Sequence, residues 1–278
     1  MEQMGKLIRI YKPRKAQFIG LTVVGSVIAA VGLFVLWAAY TVSGGGITYR
    51  GSGNPVLILA IIGAVMVAVG TLLVFISVKG RGKNTFELYE NGIIIKPKTA
   101  EPACLMFTEI EDILPLTIVA GDIHNVVNIT HLAFRKNPSS EWFIITPQTS
   151  GNTKLNEQFV ALHTQERGAL VFEQWQKTDL PVQIRYVEKS AMRDPYFTKN
   201  MAAYLKPFSD FKTLLLAKNY IKIDNQTINF NSTCKLEIGG WTDNIYLKDS
   251  NGKEKFCIHC STVLSADIFT ALLSAQIK

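Results

Sequence analysis

The chain has 278 residues, a length that ordinarily corresponds to two domains. Hydrophobic residues make up 48% and charged residues only 18%, below the roughly 25% charge of soluble domains, which argues against a wholly soluble protein. The formal charge of +7 comes without a basic stripe interleaved with aromatics, so nucleic acid is not an expected partner.

The first segment is a basic tail carrying Lys6, Arg9, Lys12, Arg14 and Lys15. Ala16 to Val42 then runs 27 residues without a charge, and Pro55 to Val78 runs 24. A hydrocarbon layer about 30 Å thick needs roughly 20 apolar residues at ~1.5 Å rise per residue, so both runs are long enough to span it. A secretory signal has an apolar region of only about 7–15 residues, so the first run reads as a retained span. Trp37 and Tyr40 lie near its far end, where interfacial aromatics anchor a span.

Lys and Arg beside a span are retained on the cytoplasmic side. Five basic residues precede the first span, Lys79, Arg81 and Lys83 follow the second, and the Ser43–Asn54 loop carries only Arg50. Both termini are therefore expected in the cytoplasm, with the Gly- and Ser-rich loop outside. The eight flanking residues outnumber the net charge, and six of them, Lys12, Arg14, Lys15, Lys79, Arg81 and Lys83, are candidate contacts for anionic phospholipid. Neither span holds Asp, Glu, Lys, Arg or His, so a transporter or channel is disfavoured. Gly25, Gly32, Gly63, Gly70 and the row Ala60, Ala64, Ala68 are small residues at helical spacing. They suit packing of the two helices on each other, or contacts within a homo-oligomer.

From Asn84 onward the periodicity changes to that of short strands. Phe86–Tyr89 and Ile93–Ile95 flank Asn91-Gly92, a tight-turn signal. Glu109–Ile113, Leu116–Val119 and Asn125–Ile129 read as strands, and His131–Phe134 with Trp142–Ile145 as a hairpin around Asn137-Pro138. Leu155 to Lys177 has helical spacing, with Leu155, Phe159, Leu162, Ala169, Phe172 and Trp175 near one face and Gly168 as a weak point. Residues 180–211 read as a connector, with a strand over Val182–Val187 and a short helix over Tyr196–Tyr204. Strands then recur at Leu214–Leu216, Tyr220–Ile223, Thr227–Phe230 and Lys235–Ile238, and at Ile245–Leu247 and Phe256–Ile258 around Asp249-Ser-Asn-Gly252. Leu264 to Ile277 closes the chain as a helix capped by Ser265 or Thr262, with Ile268, Leu272 and Ala275 on one face. Strands followed by one helix, twice over, suggest a duplication. Leu88-Tyr-Glu-Asn-Gly-Ile-Ile-Ile95 and Leu216-Ala-Lys-Asn-Tyr-Ile-Lys-Ile223 share Leu, Asn and two Ile positions.

Phe86-Glu-Leu-Tyr-Glu-Asn-Gly-Ile93 and Phe107-Thr-Glu-Ile-Glu-Asp-Ile113 resemble the opening strands of bacterial membrane proteins with pleckstrin-homology-like (PH-like) domains. The resemblance covers Phe86 to Lys278 at the level of pattern. It departs from the family in having Phe107 where Trp is common, in the long connector, and in a more divergent second half. It implies a seven-stranded, strongly bent sheet plugged by a terminal helix, and a binding or scaffolding role rather than an enzyme. The expected fold class is thus a two-helix transmembrane hairpin followed by an α+β, mainly antiparallel β region of tandem PH-like barrels, each closed by a C-terminal helix. The expected divisions are 1–83 for the tail and spans, 84–179 for the first domain, 180–211 for the connector and 212–278 for the second domain. Lys96 and Lys98 end the opening strand and Lys222 holds a similar place in the second half. These are candidate headgroup contacts, although lysines at a strand end also serve as a solvated edge.

Cys257-Ile-His-Cys260 has thiols and an imidazole of the kind that bind zinc, yet in a strand Cys257 and His259 face one side and Cys260 the other. His163-Thr-Gln-Glu166 lacks the second histidine of a helical metal site, and Glu109, Glu111 and Asp112 read as surface carboxylates. Gly80-Arg-Gly82-Lys83 lacks the strand and spacing of a phosphate loop. The sequons at Asn128, Asn225 and Asn231 matter only in a secretory lumen. No catalytic residue, metal site or cofactor is expected. The function expected is a membrane-anchored adaptor or scaffold binding a cytoplasmic or membrane protein at the inner face of the bacterial cytoplasmic membrane. The alternative is a module that binds, or is regulated by, anionic phospholipid.

Overall fold

A computed structural model describes residues 2–45, 54–79, 82, 84–120, 127–188, 205–230, 235–238 and 244–277. The two apolar runs fold as α1, Ala16–Gly44, and α2, Pro55–Lys79. Asn54 caps α2, its Oδ1 accepting from the backbone N–H groups of Val56 and Leu57 at 3.1 and 3.3 Å, and Pro55 occupies the first turn. The helices pack through glycine. A Cβ on Gly70 would lie 2.5 Å from the Gly25 carbonyl oxygen, and one on Gly32 would lie 2.8 Å from that of Gly63. Ser77 donates to the Phe18 carbonyl at 2.5 Å and its hydroxyl meets that of Thr22. The alanine row is not the seam: Ala60 is half-buried, and Ala64 and Ala68 face outward. Large apolar side chains such as Val27, Phe34, Ile61 and Leu72 are exposed, and both helices are long and apolar enough to cross a membrane.

Residues 1–12 and 84–278 form one compact unit and residues 13–83 another. Among the described residues the first unit contains four antiparallel sheets. β1 (Leu7–Tyr11), β2 (Asn84–Tyr89), β3 (Gly92–Pro97) and β4 (Ala103–Met106) form a meander in that spatial order. β5 (Asp112–Ala120), β6 (Val127–Arg135) and β7 (Phe143–Ile145) form a second sheet. α3 (Asn152–His163) follows, then a π turn (Thr164–Gly168) and α4 (Ala169–Thr178). β8 (Val182–Tyr186), β9 (Lys212–Leu216), β10 (Tyr220–Ile223) and β11 (Gln226–Asn229) form another four-stranded meander. β12 (Lys235–Ile238), β13 (Asn244–Lys248) and β14 (Glu254–His259) form the last sheet, and α5 (Ala266–Gln276) ends the fold.

The order of four strands, three strands and a helix thus occurs twice. The repetition extends to register. Leu88 pairs with Ile93 across the β2–β3 turn, Leu216 pairs with Ile221 across the β9–β10 turn, and all four side chains are buried. The Asn91 carbonyl accepts from the Phe107 N–H at 2.9 Å, and the Asn219 carbonyl accepts from the Phe230 N–H at 2.7 Å. The short sequence match between the halves therefore falls on strands that do the same structural job.

Several sequence expectations change. Leu7–Tyr11 belongs to a sheet rather than a basic tail: Tyr11 lies opposite Phe86 and Ile10 opposite Glu87. The chain leaves that sheet at Tyr11 and returns at Asn84, so α1 and α2 are inserted between neighbouring strands. β4 was not anticipated, and Phe107–Glu109 is a 3-10 turn, with Glu109 accepting from the Met106 N–H at 3.4 Å. That turn separates β4 from β5, and the strands make separate sheets instead of closed barrels. The connector over 180–211 contains β8, which pairs with β9 over its whole length. Residues 196–204, where the sequence suggests a short helix, and residues 46–53 of the loop lie outside the described residues.

Each half has its own core. Phe86, Leu88, Phe107, Phe134 and Phe159 are buried in the first, and Trp175, Leu214, Ile245, Phe269 and Leu273 in the second. α3 serves the first core and α4 the second, because the π turn adds a residue and shifts the helix phase. Ala169, expected on the buried face, is consequently exposed. In α5, Ile268 and Leu272 are buried as expected and Ala275 is exposed. Asp249 organises the β13–β14 turn by accepting from the Lys253 and Asn251 N–H groups, and Gly252 supplies φ +77°.

Tyr11 fixes β1 to the first half. Its ring is buried, its phenol is held above the ordinary range by desolvation, and its hydroxyl donates to Gln158 at 2.5 Å. Tyr11→Ala is expected to destabilise the β unit by about 3–5 kcal/mol, as loss of a buried aromatic does. Amide hydrogen exchange along β2 in the full chain would accelerate accordingly. Unchanged β2 protection would contradict the role given to β1.

Candidate functional site at the junction of the two β halves

The residues with the most constrained chemistry lie where the halves meet. Asp112, at the start of β5, stands opposite Arg135 at the end of β6. Their side chains are 1% and 3% exposed and meet at 2.6 Å. The Arg135 guanidinium also donates to the carbonyls of Pro138 at 2.9 Å and Phe208 at 3.3 Å, and it lies 4.3 Å from the Trp142 ring centroid. Arg185 of β8 reaches the other Asp112 oxygen at 2.7 Å and Glu111 at 3.1 Å. One carboxylate from the first half thereby holds one arginine from each half. A buried charge held this way is costly to desolvate and costlier to leave unpaired.

Ser265 closes the same junction. It stands at the start of α5 with φ +52°, and its side chain does not cap that helix as the sequence suggested. The hydroxyl instead donates to the Glu111 carbonyl at 2.8 Å and accepts from the Ile113 N–H at 3.2 Å. The Ser265 N–H donates to the Ile113 carbonyl at 2.8 Å, and the Leu264 N–H to that of Arg185 at 2.9 Å. Leu114, Ala133, Val187, Leu205, Phe208 and Leu264 form a small apolar cluster beside these bonds.

The end of α3 and the start of the π turn supply a second buried group. His163 is fully buried, with Nε2 at 3.0 Å from the Ile110 carbonyl and Nδ1 at 2.7 Å from Asp267 Oδ2. Both ring nitrogens thus lie within hydrogen-bond distance of an oxygen. Thr164 Oγ1 lies 2.8 Å from the same Asp267 oxygen. Asp267 Oδ1 is buried without a hydrogen-bond partner. Next to this group is a largely apolar cavity of about 430 Å³, walled by β5, the π turn, α5, Ile238 and Cys260. A second cleft of about 440 Å³ is lined by Glu111, Asp112, Arg167 and Arg185, whose charges are engaged in bonds within the junction.

The sequence candidates lie elsewhere. Lys12 and Lys15 are exposed and Arg14 half-buried, and Lys79 caps the end of α2 with its ammonium 4.5 Å from the Phe75 ring. Arg81 and Lys83 lie outside the described residues. Lys96 is neutralised by Glu87 at 2.6 Å, whereas Lys98 and Lys222 are exposed. Superposing Leu88 on Leu216 puts Lys222 at the position of Ile94, so Lys96 and Lys222 are not equivalent. Cys257 in β14 is exposed, Cys260 is buried in the 3-10 turn Cys260–Thr262 that follows the strand, and His259 Nδ1 accepts from the Ser261 N–H at 3.2 Å. Of the carboxylates read as a surface cluster, Asp112 is buried in the clamp. Glu109 bonds Lys136 at 2.8 Å, and that hydrogen bond holds its carboxyl below the usual range. Nothing local in the sequence marks the His163–Asp267 pair, whose members are about a hundred positions apart. No protein-family model and no curated protein matches the chain.

Arg135→Met would leave Asp112 buried beside Arg185 alone, at an expected cost of about 3–5 kcal/mol. Arg185→Met, at a side chain 20% exposed, would cost less. Thermal unfolding of the two variants checks this order, and equal midpoints would contradict it.

Proposed function

We propose that the chain is a membrane-anchored, non-enzymatic adaptor of the bacterial cytoplasmic membrane. In this reading α1 and α2 span the bilayer, and the two halves of the β unit are PH-like modules on the cytoplasmic side that bind a protein partner. The observation that carries the reading is the insertion of the hairpin between β1 and β2. Strands cannot pair across a bilayer, so both ends of the hairpin must emerge on one side. The excess of Lys and Arg at those ends favours the cytoplasm. Among the described residues, seven strands followed by a helix in each half support the PH-like assignment.

A second reading, binding of anionic phospholipid, is favoured by one observation. Lys12, Arg14, Lys15 and Lys79 form no ion pair among the described residues. Each can contribute about 1 kcal/mol beside an anionic leaflet.

A photoreactive benzoylphenylalanine placed at Lys222 or Thr227, both exposed on the second half, separates the readings in living cells. The adaptor reading expects a discrete covalent adduct with one other cytoplasmic or membrane protein. If adducts form only with lipid, and Lys12→Gln, Arg14→Gln, Lys15→Gln together reduce them, the adaptor reading fails and the phospholipid reading stands.

A further inference from the structure

The cavity beside the π turn has the makings of a ligand site that is independent of any macromolecular partner. Its volume of about 430 Å³ falls within the roughly 300–1,000 Å³ range of small-molecule pockets. Ile113, Pro115, Val160 and Ile238 give it apolar walls. Its buried polar atoms have one character. Thr164 Oγ1 sits 2.9 Å from the Val160 carbonyl and 2.8 Å from Asp267 Oδ2, so its single hydrogen is already used. Thr270 Oγ1 likewise donates within its own helix, to the carbonyls of Ala266 at 2.8 Å or Asp267 at 3.0 Å. Asp267 Oδ1 has no partner, on a side chain only 5% exposed. The buried groups therefore offer acceptors, Ser274 at the exposed rim carries a further hydroxyl, and Asp267 Oδ1 is the buried atom that a ligand's hydrogen would satisfy.

Charge narrows the class further. Asp267 Oδ2 is already engaged by His163 and Thr164. A charged head of either sign would have to be desolvated in a largely apolar space, which is costly. We propose that this cavity binds an uncharged, hydroxyl-headed amphiphile, the hydroxyl donating to Asp267 Oδ1 and the hydrocarbon lying along β5 and Val160. His163 at the end of α3 and Thr164 at the start of the π turn both meet Asp267 of α5.

Cys260 lies in the cavity wall and is 4% exposed, which makes it a reporter of occupancy. The full chain in phosphatidylcholine nanodiscs would be treated with iodoacetamide, and alkylation at Cys260 followed by peptide mass spectrometry. The expected result is that 1-monododecanoylglycerol slows alkylation in a saturable way, while dodecanoate and dodecylammonium do not. Ala271→Trp, on the exposed rim, would fill the space and abolish the ligand-dependent slowing. Asp267→Ala would raise the half-saturating concentration about tenfold or more, as loss of a hydrogen bond to a charged group does. Absence of slowing by the glycerol ester, equal slowing by all three amphiphiles, or slowing that survives Ala271→Trp would each overturn the proposal. Should Asp267→Ala fail to fold, the rim variant and the three amphiphiles decide it.

Discussion

The pairing of β1 with β2 is the constraint on which the rest depends. Two neighbouring strands are separated in sequence by both apolar helices, so the sheet is completed only after the chain has passed through the hairpin and returned. The buried ring of Tyr11 and the bond from its hydroxyl to Gln158 hold this late-closing strand against α3. The hairpin is an insertion into the β fold, not a leader preceding it. Its ends are fastened into one sheet, and its two helices are held by glycine contacts that leave no room for a Cβ. A hairpin inserted this way has a fixed length of chain on both sides, roughly four residues from Tyr11 to α1 and from α2 to β2, and no long linker.

The β unit repeats one plan and then erases the boundary between the copies. The buried Leu–Ile pairs and the asparagine carbonyls that accept from Phe107 and Phe230 recur in both halves. Yet the helix after the first half continues through a π turn to cover the second core, and α5 of the second half returns to bond β5 of the first. Asp112, held by Arg135 and Arg185, has no counterpart described in the second half. Removing either half would expose buried charge as well as apolar surface. A fragment beginning at Asn84 would also lack β1, so the β unit is not the contiguous stretch that the sequence suggests.

What could be read in advance followed from local signals. Charge-free runs, turn residues such as Asp249 and Gly252, and alternation in the second half sufficed for the helices and most strands. β1 was hidden because Leu-Ile-Arg-Ile-Tyr sits among lysines that signal a membrane flank, and its exposed Leu7, Ile8 and Ile10 give no alternation. β4 is four residues long and its burial does not alternate cleanly. The junction was hidden for a different reason. Asp112 and Arg135, Ser265 and Ile113, and His163 and Asp267 are contacts set by tertiary folding, and each residue alone looks like an ordinary surface or capping group. Ser265 illustrates the competition: its hydroxyl leaves the helix end and satisfies the backbone of β5 instead.

The central claim is that the hairpin crosses the membrane and that its two ends and the β unit face the cytoplasm. The most direct measurement is labelling of intact cells with an impermeant maleimide, after replacing the four native cysteines and introducing Ser52→Cys or Ser250→Cys. Ser52 lies in the loop between the helices, and Ser250 in the exposed β13–β14 turn. The account expects labelling at position 52 in intact cells and at position 250 only after the cells are opened. Labelling at 250 and not at 52 in intact cells would contradict it, and the β unit would then have to be understood as an external domain.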